Sequence, residues 1–186
     1  PNLHKPIIGR ENEIMSLKQT LSRHYKNDVL LSGEVGVGKS AIVNAVIREI
    51  LKGEAPANLW NTVFLKLNFR ELTKWIKKVG DFEDNLNKLL DAVDVTQHDV
   101  VLVVDHFYEL IRAAKSKWMS TISSFLRHYI GKSNIKFVAL INPDEYTEIQ
   151  EDQELMRLFQ LISVEEPSKE ACTPILHETA KQFQAD

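Results

Sequence analysis

The stretch Gly33-Glu34-Val35-Gly36-Val37-Gly38-Lys39-Ser40 has the residue types and spacing to hold a polyphosphate. Glycines let the main chain fold back with its N–H groups pointing inward, the Lys39 ammonium can reach outer phosphates, and the Ser40 hydroxyl can ligate a magnesium ion bridging them. That chemistry needs a strand ending at the turn and a helix starting from it. Both flank the stretch: Val29-Leu30-Leu31 is a short apolar run, and Ala41, Ile42, Val43, Ala45, Val46, Ile47, Ile50 and Leu51 form a helical segment apolar almost all round. The segment stops near Gly53. A plain glycine-rich loop is the bland alternative.

A second element completes the site. Val100-Val101-Leu102-Val103-Val104-Asp105 is an apolar run tipped with a carboxylate, which in enzymes with such a cradle lies beside it and holds magnesium, usually through water. Capping of the following helix is the other role open to Asp105. Many hydrolysing members of this class place Glu next, to orient the attacking water; here the residue is His106. Histidine can act as a base, but it lacks a carboxylate's charge and two-oxygen geometry. Glu109 is close in sequence but one helical turn away.

Two further apolar runs, Val63-Phe64-Leu65 and Phe137 to Ile141, lack polar alternation and, like Val100 to Val104, read as strands covered on both faces. Helical patterns separate them, at Phe82 to Val93 and Trp118 to Ile130. Strand alternating with helix predicts an α/β three-layer sandwich with a central parallel sheet of about five strands, the last around Leu161 to Val164, and helices on both faces. From Pro167 the composition turns polar, and Thr173-Pro174 suits a helix start. One helix buries no core of its own.

The 186 residues include 44% hydrophobic and 26% charged, enough for one large core, and the net charge of −3 argues against a surface built for nucleic acid. Cys172 is the only cysteine, so neither a disulfide nor a thiolate metal site is expected, and a reducing, cytoplasmic setting fits. No apolar run is long enough to span a bilayer, and no export leader is visible.

These motifs resemble the large subdomain of the first nucleotide-binding module of Clp-type AAA+ unfoldases and disaggregases. Pro6-Ile7-Ile8-Gly9-Arg10-Glu11 is similar to the family's adenine-wrapping segment, and Leu30 through Ser40 to its phosphate loop. Gly80-Asp81-Phe82-Glu83-Asp84, Asp144-Glu145-Tyr146, and the run of Arg157, Phe159, Gln160, Val164, Glu166, Pro167 and Ser168 also match. The resemblance implies ATP and Mg²⁺ as cofactors, with Ile7 and Ile8 on the base, Gly33 through Ala41 around the phosphates, and Ser40 and Asp105 toward the metal. It implies Asn142 as the γ-phosphate sensor and Arg157 as a finger reaching a neighbouring subunit. Residues 1–166 would be the large nucleotide-binding subdomain, and 167–186 the start of a truncated helical lid. A ring-forming homo-oligomer, or a hetero-oligomer with an active homologue, and a protein substrate are the implied partners.

The chain departs from the family at three places. His106 replaces the water-orienting Glu, Leu158 replaces the second finger arginine, and Lys78 stands at the substrate-gripping aromatic, with Trp75 nearby in a basic loop containing Lys74 and Lys77. The expectation is an ATP-binding module with weak or absent hydrolysis. The alternatives are an inactive scaffold or regulatory subunit, and an initiator or signalling NTPase, which shares the front motifs.

Overall fold

A computed structural model describes residues 7–68, 88, 98–115, 130 and 135–166. The five apolar segments are strands: β1 (Asp28–Gly33), β2 (Val63–Asn68), β3 (Val100–Asp105), β4 (Ile135–Ile141) and β5 (Phe159–Val164). They pair in parallel in one sheet ordered β2-β3-β4-β1-β5, the α/β P-loop architecture expected. Parallel neighbours need crossovers that lay helices on the sheet faces, so central strands must be apolar on both sides. Every residue of β1 and β4 is buried. The edge strand β2 corrects the expectation of full cover: paired only with β3, it leaves Val63 40% exposed and Lys66 open to solvent.

Side chains alternate across the strands and divide the core into two layers. On one face Val100, Leu102, Val104, Phe137 and Ala139 pack with Phe107 and Leu110 of α3 (Phe107–Lys115), Ile149 of α4 (Pro143–Ile149) and Leu155 of α5 (Gln153–Leu158). On the other, Val29, Leu31, Val101, Val103, Val138 and Leu140 pack with α1 (Glu11–Leu21) and α2 (Lys39–Leu51). Helix α2 buries Ile42, Val43, Ala45, Val46 and Ile50 but leaves Leu51 72% exposed, so its apolar surface is one-sided rather than complete. An ion pair between Lys18 and Glu49 clasps α1 to α2.

The helical patterns at 82–93 and 118–130 lie outside the described residues, except that Lys88 is helical and Ile130 is buried. The basic loop with Trp75, the Gly80 segment, Cys172 and the lid residues 167–186 also lie outside them. No helix among the described residues is long and apolar enough to cross a membrane.

Polar ties hold the strand ends opposite the glycine loop. The buried Asp28 carboxylate accepts the Phe137 N–H at 2.7 Å, and Lys136 Nζ donates to Asp99 Oδ2 at 2.8 Å. Asp28→Ala would orphan a buried amide and should lower stability by about 1–3 kcal/mol in urea denaturation. At the loop end Gly33 is gripped differently: a Cβ there would lie 2.5 Å from the Val164 carbonyl oxygen and 2.9 Å from Val37 Cγ1. The nearer obstacle is main chain and cannot swing away, so Gly33→Ala should also cost about 1–3 kcal/mol in the same measurement.

Candidate functional site

Strand β1 sits between β4 and β5, the chain leaving it for the far edge and returning past it to β5. Such a reversal of strand order opens a crevice beyond the carboxyl ends of the strands. The glycine loop lines that crevice. Gly36 and Gly38 have φ of +86° and +108°, and a Cβ at either would meet nothing within 4 Å, so dihedral angle rather than space demands glycine there. Gly38 is the N-cap of α2, whose first turn carries no acidic side chain. No carboxylate of the helix itself therefore competes with an anion for its first-turn amides.

Lys39 crosses the mouth of this loop. Its ammonium donates to the Gly33 carbonyl at 2.5 Å, the Glu34 carbonyl at 2.9 Å and Asn142 Oδ1 at 3.3 Å. Partial burial holds its pKa below the usual lysine value, and the charges of Glu145, Asp105 and Glu34 oppose that shift. The ammonium sits where carbonyl oxygens stand in for the anion it would otherwise meet. A polyphosphate supplying full negative charge would stabilise the protonated form further.

Asp105 ends β3 on the side facing α2. Its Oδ1 accepts the His106 N–H at 3.1 Å, and its Oδ2 lies 3.2 Å from Lys66 Nζ on β2. His106 has a left-handed φ of +57°, a conformation that histidine tolerates better than most side chains. Its carbonyl then accepts the Glu109 N–H at 3.0 Å as the chain enters α3.

A cavity of about 290 Å³ joins these groups, lined by Val35, Gly36, Gly38, Lys39, Ser40, Ala41, Asp105, His106, Asn142 and Glu145 among others. Most of the residues singled out in the sequence thus meet on one surface. Gly33, Glu34 and Val37 are not in its lining and shape the loop through their carbonyls, which accept from Lys39 and Arg10. Ile7 and Ile8 do not line the cavity; Ile7 packs against the α1–α2 layer. Arg157 is exposed in the last turn of α5, away from this cavity, and Glu109 is also outside its lining.

Sequence reasoning gave no separate role to three side chains here. Glu145 accepts the Asn142 N–H at 2.8 Å in a capping box at the start of α4, with Pro143 in the first turn. Asn followed three residues later by Glu was the legible signal. Arg10, only 7% exposed, donates to Glu13 at 2.9 Å and to the Val37 carbonyl at 3.0 Å, tying the amino-terminal segment to the loop. Lys66 had no sequence signal, because its approach to Asp105 depends on strand order and register.

Residues 4–186 match the family model described as nSTAND1, Novel STAND NTPase 1. The Chaperone protein ClpB of Bacteroides thetaiotaomicron is 31% identical over 180 residues, which make up 96% of this chain and 21% of that protein. The S. cerevisiae Hsp104-ADP complex is similar with a TM-score of 0.84 and 29% identity, covering 97% of this chain and 31% of that one. The extended conformation of the S. cerevisiae Hsp104:casein complex gives 0.83 and 29% over the same shares. This chain thus spans about a fifth of the length of the curated ClpB relative. With its parallel sheet and glycine loop at the switch point, the chain belongs to the Novel STAND NTPase 1 family and is built as a Clp-type AAA+ module.

Proposed function

We propose that this chain is the ATP-binding module of a Clp-like chaperone machine, one that holds nucleotide firmly and hydrolyses it weakly. The observation that carries this reading is the convergence of Lys39, Ser40, Asp105 and Asn142 on one cavity beside the glycine loop. In it Lys39 exchanges loop carbonyls for phosphate oxygens, and Asn142, already within 3.3 Å of that ammonium, registers the outermost phosphate. The Ser40 hydroxyl and the Asp105 carboxylate are hard oxygen donors on one surface, the ligand type magnesium takes. The metal, when bound, would neutralise charge between the outer phosphates.

Weak hydrolysis follows from His106. It stands in the sequence where the family has a water-orienting carboxylate, and Glu145, the other carboxylate besides Asp105 among the described residues of the lining, is engaged by the Asn142 N–H. Loss of that group removes transition-state stabilisation while leaving ground-state binding in place. The exposed Arg157 supports nucleotide-linked assembly into a ring, with copies of itself or with an active homologue, and the Hsp104:casein complex supports a protein substrate. On this reading residues 1–166 are the large subdomain, 167–186 begin the lid, and the setting is cytoplasmic. His106 also favours a second reading, a nucleotide-bound scaffold that never cycles. The STAND NTPase match favours a signalling-type NTPase, for which the front motifs serve equally.

Two measurements test nucleotide binding and separate weak hydrolysis from the scaffold reading. ATP with magnesium at about a hundredfold over its Kd should stabilise the chain by about 2.7 kcal/mol in thermal denaturation, and Lys39→Ala should abolish that shift. An unshifted wild type would mean the loop holds no nucleotide. In phosphate-release assays, His106→Glu should turn over about a hundredfold faster than wild type, the scale of a positioned general base. Brisk wild-type turnover would refute the impaired site, and no gain in His106→Glu would favour the scaffold.

A further inference from the structure

Both carboxylate oxygens of Asp105 are engaged within the chain: Oδ1 by the His106 N–H, and Oδ2 by the Lys66 ammonium at 3.2 Å. The second contact follows from the sheet. Strands β2 and β3 pair in parallel with Lys66 opposite Val103 and Asn68 opposite Asp105. Lys66, Val103 and Asp105 therefore share one face of the sheet, the face on which α2 packs. Edge position leaves the Lys66 side chain 57% exposed, with a stem free to move between partners.

A hydrated metal ion held by Asp105 has to displace this ammonium or share the carboxylate with it. Two cations crowded on one carboxylate repel, so each weakens the other's hold. Lys66 is not in the cavity lining, yet by pairing with Asp105 it offsets the negative charge that an anionic ligand in the cavity would meet there. Lys39 already provides one ammonium within the cavity. As a surface ion pair, Lys66 with Asp105 contributes little to folding, so its consequence falls on binding.

We propose that Lys66 is a built-in counter-cation for Asp105, so that nucleotide binds this site with little dependence on magnesium. The proposal rests on the nucleotide reading above and concerns its metal requirement. Lys66 is a positioning residue here, acting through Asp105 on the ligand's surroundings.

Titrating the 186-residue chain with a fluorescent ATP analogue, in excess magnesium and in EDTA, tests it. The ratio of the two Kd values should stay within about threefold for wild type and widen to about tenfold or more in Lys66→Met, a modest coupling between two ligands. By reciprocity Lys66→Met should bind magnesium more tightly in the presence of nucleotide. Lys66→Arg, which keeps the charge, should hold the wild-type ratio. Equal ratios in wild type and Lys66→Met, or a widened ratio in Lys66→Arg, would overturn the inference while leaving nucleotide binding intact. Absence of binding by wild type in both buffers would overturn the nucleotide reading and this inference together. Because Lys66 is exposed, an unchanged urea midpoint confirms that each variant is folded.

Discussion

One ammonium group joins the three pieces of chain that make the site. Lys39 bonds the carbonyl at the end of β1, the next carbonyl in the loop and the side chain that follows β4. A second cation, Arg10, takes the Val37 carbonyl from the other side. Peptide oxygens that would repel an anion are in this way committed to cations. The arrangement requires the loop to pass close to β5, and it does so only because Gly33 has no side chain to collide with Val164. Removing either cation would leave those carbonyls without their positive partner.

Much of this was legible in the amino-acid sequence, for identifiable reasons. Buried parallel strands need apolar residues on both faces, so Val29 to Leu31, Val100 to Val104 and Phe137 to Ile141 stand out as unbroken runs. The loop glycines are specified by local dihedral angles, which are properties of a short segment. The order β2-β3-β4-β1-β5 was not legible, because nothing in a run of valines says which strand lies beside it. Lys66 went unnoticed for that reason. Its charge is ordinary, and its significance comes from a neighbour 39 positions away brought alongside by register.

Asn142 shows how one residue answers to two demands. As the N-cap of α4, its main chain is fixed by Glu145, while its side chain turns to Lys39. The helix start therefore aims the polar group, and the aim does not rely on crowding from the core. His106 sits at the matching junction after β3 under the opposite condition, held in a left-handed turn. A longer acidic side chain at that point would inherit the same unfavourable dihedral angle.

The polar clasps at Asp28 and at Lys136 with Asp99 both lie at the ends of the strands remote from the cavity. The cavity end has its own ties of another kind, Lys39 with Asn142 and Lys66 with Asp105. The remote ties rest on the buried side chains of Asp28 and Lys136, shut away from solvent, whereas those at the cavity hang on ammonium groups at the surface of a crevice, free to trade one oxygen for another. The two ends of the sheet therefore differ in how readily their bonds can be exchanged.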